Sequence, residues 1–214
     1  MNLPRIYRKL EPSFYQSEDV VMLSKLLLGK LLVSHFGGEL TSGIIVETEA
    51  YRGVTDRASH AYGNRRTGRT EVMFASGGSS YVYLCYGIHH LFNVVSGPAN
   101  VPHAILVRAI EPFEGKEFML RRTGKKQWDN NIGSGPGNVT RALGIHTRHS
   151  GTSLLSGELF IADNGISFRD TEIVSTPRIG VDYAGEDAAL PYRFVVKGHP
   201  NLSAKTFTSK FYVH

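Results

Sequence analysis

Apolar positions along the chain first keep a helical rhythm. Val20, Leu23 and Leu27 recur at spacings of three and four, which lines one side of a helix. Ser17 ahead of Glu18 and Asp19 offers a capping hydroxyl followed by acids in the first turn, and Gly29 gives a stop. The rhythm then becomes that of strands. KLLVSHF and ELTSGIIVETEAY flank Gly37-Gly38, the pattern of a hairpin. SSYVYLCY and IHHLFNVV flank Tyr86-Gly87 and predict a second one. HAILVRAI, residues 103–110, predicts a strand closed by Glu111-Pro112. GKEFMLRRTG and VTRALGI predict short helices, and ELFIA, EIVST and YRFVVKG predict three late strands. The sum is an α+β fold, a mixed and mainly antiparallel sheet with a few packed helices.

Two segments break the pattern. Residues 52–71, RGVTDRASHAYGNRRTGRTE, are polar, carry five arginines and show no period. They predict a long surface loop, and loops of that length tend to carry function. KKQWDNNIGSGPGN predicts another loop before the VTRALGI helix. No repeat, low-complexity tract or composition shift divides the chain, so one domain spanning residues 1–214 is expected.

Composition narrows the partners. The 214 residues carry a net charge of +5 and a pI near 9.3, which favours a polyanion such as nucleic acid or an anionic membrane surface. The greasiest stretch, Val20 to Val33, is too short to span a bilayer and is interrupted by Lys25 and Lys30. The N-terminal MNLPRIYRKLEPSFYQ has no apolar run, and Cys85 stands alone, so a cytoplasmic protein without disulfides is expected. The nine histidines fall in no zinc spacing, His89-His90 included, and no metal or other cofactor is expected. GSGPGN lacks the Lys-Ser/Thr of a phosphate loop and reads as a turn.

Three clusters carry candidate chemistry. In VETEAY, strand alternation puts Glu47, Glu49 and Tyr51 on one face. By pattern alone this is most simply a solvated strand face. Arg108, inside the apolar run HAILVRAI, shifts the balance, because a buried arginine needs an acidic partner and Glu49 is a candidate. In SSYVYLCYGIHHLFN, Tyr81 and Tyr83 share a face, whereas Tyr86 has the opposite parity and stands near a hairpin tip. Tyrosines beside arginines suit base stacking and phosphate contact, and equally suit a tyrosine-rich core strand. A non-catalytic nucleic-acid-binding domain remains open on these features. A carbohydrate hydrolase using Glu47 and Glu49 is disfavoured, because neighbours on one strand face cannot flank a glycosidic bond.

Taken together, VETEAYRG, DRASHAYG, MFASGGSSYVYLCYGIHHLFNVV, AILVRAIEP, SGPGNVTRALGI and RIGVDYAGEDAALPYRF resemble the 3-methyladenine (alkyladenine) DNA glycosylases, in order and spacing, from about residue 12 to 202. The resemblance implies a curved sheet with a protruding hairpin that enters the DNA minor groove. It implies a monomer that binds double-stranded DNA, flips a damaged purine and hydrolyses its bond to the sugar, initiating base excision repair, with a nucleoid-associated role in a bacterium. Residue by residue, Glu49 matches the general base, Arg108 the arginine that holds the attacking water, and Val181 the position whose carbonyl is that water's third ligand. Tyr51 and Tyr83 match the aromatics that sandwich the flipped base, His60 the histidine whose backbone amide reads the base edge, and Asn93 the asparagine that crowds normal guanine. Tyr86 matches the wedge that fills the vacated stack. Arg52, Arg65, Arg66 and Arg69 are candidate phosphate contacts. No lysine lies in the matched motifs, so a Schiff-base lyase step is not indicated. Two positions depart from the family pattern. Thr67-Gly68-Arg69-Thr70 replaces the Thr-Pro-Arg-Asn often seen, and Asp182 stands where some relatives have glycine.

Overall fold

The computed structural model describes residues 7–203. In chain order the elements are β1 (Arg8–Lys9), α1 (Val20–Leu26), β2 (Leu31–Phe36), β3 (Glu39–Tyr51), β4 (Ser80–Cys85), β5 (His89–Ser96), β6 (His103–Glu114), α2 (Lys116–Thr123), α3 (Pro136–Leu143), β7 (Leu159–Asp163), β8 (Ile173–Thr176) and β9 (Arg193–Val196). The strands form one curved sheet in the order β1-β7-β2-β3-β6-β5-β4, with β9 also paired to β3 and β8 to β9. All of the pairings are antiparallel. The fold is thus α+β, as the strand and helix patterns predict.

Strand β3 organises the site. One edge pairs along its length with β6. The other edge pairs with β2 over its first half and with β9 over Glu47–Glu49. The carboxylates of VETEAY therefore sit in the middle of the sheet, and both side chains are 0% exposed. The solvated-face reading of this strand is overturned: the alternation is real, but the segments carrying Ile179 and Ser203, with the Arg193 side chain, cover the polar face.

Alternation sorts the rest of the sheet. Ala50, Val82, Phe92, Val94 and Ile105 point into the main core, on which α1 and α3 pack. Each such fully buried large apolar side chain contributes about 1.5–3 kcal/mol of transfer free energy. Tyr51, Tyr81, Tyr83, Val95 and Ala104 point to the other face and meet Ala61, Met73 and Phe74. Residues 52–71, expected as a surface loop, do hold several exposed arginines, but they also fold back in short 3-10 turns that bury Asp56, Ala58, Ser59, Ala61 and Thr70. Ala58 and Ala61 of that loop pack over the second face.

Element boundaries differ from the sequence expectations where local chemistry wins. The α1 cap is Asp19, whose carboxylate accepts from Met22 N at 2.9 Å; Ser17 Oγ instead accepts from Asp19 N at 3.1 Å. Strand β6 runs past Glu111-Pro112 to Glu114 because a register shift at Phe113 accommodates the proline, which has no N–H to give the ladder. Helix α3 begins at Pro136, inside GSGPGN, since proline at the first helical position forfeits only an N–H that has no partner there.

Candidate active site

A cavity of about 580 Å³ opens on the second face of the sheet. Tyr51, His60, Tyr83, Asn93, Arg108 and Val181 all line it. Residues scattered over 130 positions, 51 to 181, thus converge because β3, β4, β5 and β6 are sheet neighbours and two loops fold over them. Tyr86 stands at its rim, on the tip of the β4–β5 hairpin.

Arg108 is aimed by a bulge. Ile45 pairs with Ile110 and Thr48 with Val107, but Val46 and Arg108 have no Cα partner between them. An unpaired residue of this kind bends its strand and re-aims its side chain. Here the guanidinium meets both acids: Nε donates to Glu47 Oε1 at 3.0 Å, and Nη1 lies 3.3 Å from Glu49 Oε1. Gly133 closes over this point, and a Cβ there would stand 2.2 Å from the Ile110 carbonyl oxygen.

Glu49 lies just behind the cavity wall. Its Oε1 also accepts from Ile179 N at 2.8 Å, and its Oε2 accepts from the Tyr51 hydroxyl at 2.8 Å. Tyr51, Arg108 and Ile179 themselves line the cavity. The carboxylate is therefore fixed in direction, with a lone pair of Oε2 not engaged by the described residues. Burial first, and the Glu49 charge second, push the Tyr51 hydroxyl well above its ordinary range, so it stays a neutral donor.

Glu47, on the same strand face as Glu49, is a structural hub. Beside Arg108, its Oε1 accepts from Arg193 Nε at 2.7 Å and Ser203 Oγ at 2.6 Å, and Oε2 accepts from Ser203 N at 2.7 Å. Burial alone would raise this carboxyl; Arg193, Arg108 and the Ser203 hydrogen bonds outweigh it and hold it below its ordinary value of 4.5. A second hub pairs Asp56 with Arg178, both buried, at 2.5 and 2.9 Å. Arg178 also donates to the Ala50 carbonyl, and its guanidinium lies 4.9 Å from the Tyr51 ring centroid. It braces the outer side of a cavity wall. Asp56, Arg178 and Arg193 all lie in the motifs quoted above, but nothing in the sequence joins residues more than 100 positions apart.

The aromatic wall is tightly built. His60 meets Tyr83 edge-on at 4.6 Å, and Tyr81 and Tyr83 are 5.5 Å apart. Asn93 is buried, with its amide nitrogen donating to the Tyr81 carbonyl at 3.1 Å. Tyr183, which the sequence reading did not single out, lines the cavity and donates to the Ala58 carbonyl at 3.0 Å. It straps the 179–183 loop to the loop before His60.

The exposed residues divide clearly. Tyr86 is 91% exposed with φ 51°, followed by Gly87 at φ 72°. Two successive positive φ angles are what a tight hairpin turn demands, and Gly87 supplies the second without steric cost. Leu84 and Ile88 are exposed beside it. Arg69 leans over the Tyr83 ring at 5.5 Å, at the cavity. Arg66 is bound to Glu71 at 2.7 and 2.8 Å. Arg65 is exposed near His60. Arg52 lines a separate hollow with Glu18, Asp19, Val20 and Val21. Thr70, at one departure, is buried and donates to the Arg65 carbonyl at 2.9 Å, which closes its loop locally. Asp182, at the other, opens a 3-10 helix and is exposed.

Comparison with known proteins converges on one group. The sequence model of the Methylpurine-DNA glycosylase (MPG) family matches residues 13–200. A protein of Chlamydia felis is 47% identical over 191 residues, covering 87% of this chain and 95% of its own length. One from Chlamydia pneumoniae is 46% identical over 203 residues, covering 93% and 100%, and one from Bacillus cereus 47% over 203 residues, covering 91% and 98%. All three are provisionally named 3-methyladenine DNA glycosylases.

Proposed function

The chain belongs to the methylpurine-DNA glycosylase family, whose members are DNA glycosylases, hydrolases of N-glycosyl bonds, and on that premise we propose that it excises alkylated purines such as 3-methyladenine and 7-methylguanine from double-stranded DNA by base flipping. Deaminated or etheno-bridged purines, hypoxanthine and ethenoadenine among them, are further candidate substrates. The observation that carries this reading is the fixed pair of Glu49 and Arg108 at the wall of an aromatic cavity of about 580 Å³.

The reaction needs a water oriented towards the sugar carbon and a negative charge to stabilise the oxocarbenium ion that develops as the bond breaks. Glu49 supplies that charge and takes the water's proton. Arg108 and the Val181 carbonyl complete the water's cradle. Tyr51 and Tyr83 pack against a flipped base, and their ring faces favour a cationic, alkylated purine. Asn93 crowds the exocyclic amine of an undamaged guanine. Tyr86 fills the gap left in the stack, offsetting an unstacking cost of about a few kcal/mol. The product is free base and an abasic site, released by a monomer acting in the cytoplasm on nucleoid DNA.

The test is release of free base from alkylated duplex DNA. Glu49→Gln keeps the side chain's size and should lose excision by at least about 100-fold, the usual scale for a positioned general base. Near-normal release of 3-methyladenine or 7-methylguanine by this variant would refute the assignment.

A further inference from the structure

The cavity contains a hydrogen-bond relay whose direction can be worked out. His60 Nδ1 and the Tyr81 hydroxyl are 2.7 Å apart. Either group can be the donor when the pair is taken alone. The burial of the Tyr81 hydroxyl resolves the choice. Tyr81 is 2% exposed, and a buried O–H without an acceptor is costly. Were His60 the donor, the Tyr81 hydrogen would have no acceptor among the described residues. His60 Nδ1 is the acceptor within reach. A neutral imidazole that accepts at Nδ1 carries its proton at Nε2.

The ring is also kept neutral. Burial, then the charges of Arg69 and Arg65, bring the His60 value down to about 4. The groups that face the ring are those two arginines, Tyr81 and Tyr83; no carboxylate is among them. With one nitrogen committed to Tyr81, Nε2 is left with no hydrogen-bond partner among the described residues, on a ring that lines the cavity.

We infer that Tyr81 locks His60 as its Nε2–H tautomer, so that its side chain offers a fixed hydrogen-bond donor to a flipped purine bearing an acceptor on that edge. This rests on the proposed function and deepens it, adding a side-chain contact to the backbone one expected at His60. The donor matters most for a neutral purine. A cationic base leaves as a neutral molecule, whereas a neutral base leaves with negative charge growing on its ring nitrogens and oxygen. A hydrogen bond from neutral His60 strengthens as that charge grows, and no proton need be transferred. Tyr81 acts as a positioning residue, since it orients the imidazole and has no need to touch the base.

Two measurements test this. Long-range proton–nitrogen NMR of the free protein, with the His60 signal assigned by its loss in His60→Gln, should show an Nε2–H imidazole in the wild type. It should show a mixture of tautomers in Tyr81→Phe, which removes a single oxygen. Single-turnover excision is then compared on duplexes carrying hypoxanthine or 7-methylguanine. The ratio of the hypoxanthine rate to the 7-methylguanine rate should fall by about 10- to 100-fold in Tyr81→Phe and in His60→Phe, the range for a hydrogen bond to a charged group. An Nδ1–H tautomer in the wild type overturns the inference, as does an unchanged rate ratio. Wild-type release of 7-methylguanine without release of hypoxanthine overturns it too. If the wild type releases neither base, the proposed function falls, while the nitrogen spectrum still decides the tautomer.

Discussion

Replacing Glu47 by glutamine isolates the hub from Glu49, the carboxylate proposed as the general base. In the native site four donors converge on one carboxylate: Arg108 Nε, Arg193 Nε, Ser203 Oγ and Ser203 N. A glutamine of the same shape offers one oxygen, while its NH₂ group must face a donor in one of those directions. Its neutrality also deprives two buried guanidiniums, Arg108 and Arg193, of the negative charge they share. Removing one partner of a buried ion pair costs about 3–5 kcal/mol. At about 2–4 °C per kcal/mol for a chain of this size, the melting temperature should fall by about 6–20 °C. Urea unfolding at pH 7 measures the same loss as a displaced midpoint. The pH dependence has a definite sign. The folded Glu47 value lies below the ordinary 4.5, so its stabilisation is present above that value and fades as pH falls through the folded one. The wild-type and Glu47→Gln stability curves should therefore stay apart at neutral pH and converge as pH falls below the ordinary 4.5 and through the lower folded value. A loss under about 1 kcal/mol at pH 7, the range of exposed pairs, would refute the hub. Parallel curves down to acid pH would refute its electrostatic basis.

Three further outcomes follow from the same geometry. Tyr86→Ala should leave thermal stability within about 0.5 kcal/mol, because the ring is almost fully exposed, yet weaken binding to an abasic-site duplex; unchanged binding would remove it from the stack. Arg69→Ala should reduce the salt dependence of duplex binding more than Arg66→Ala, because Glu71 already neutralises Arg66; equal slopes would refute that ranking. Asp56→Ala should destabilise by about 3–5 kcal/mol and, in the surviving folded fraction, raise KM by loosening Tyr51. Normal stability in thermal unfolding would show the Asp56–Arg178 pair to be dispensable.

Much of the fold was legible in the chain. The apolar periods gave α1, both hairpins and the late strands, because half-buried strands and amphipathic helices are local patterns. The errors came where a polar or proline signal was read without its tertiary neighbour. Pro112 reads as a stop, yet a bulge carries β6 past it. The arginine-rich loop reads as solvated, yet Gly53, Asp56, Ala58, Ser59, Ala61 and Thr70 are buried in it.

The sequence by itself determined the family and the residue types of the site. Motif order and spacing over most of the chain are properties of the string, and they pointed to Glu49, Arg108 and the tyrosines together. Which partners those residues have was decided only by the tertiary structure. Glu47 and Glu49 look alike in VETEAY, and the alternation puts both on one face. Only the packing of β9 and Ser203 against one, and of Tyr51 and Ile179 against the other, makes the first a structural hub and the second a carboxylate set behind the cavity. The physical reason is range. Periodicity and turn chemistry act over a few residues, whereas a buried charge is stabilised by groups that the fold brings from more than a hundred positions away.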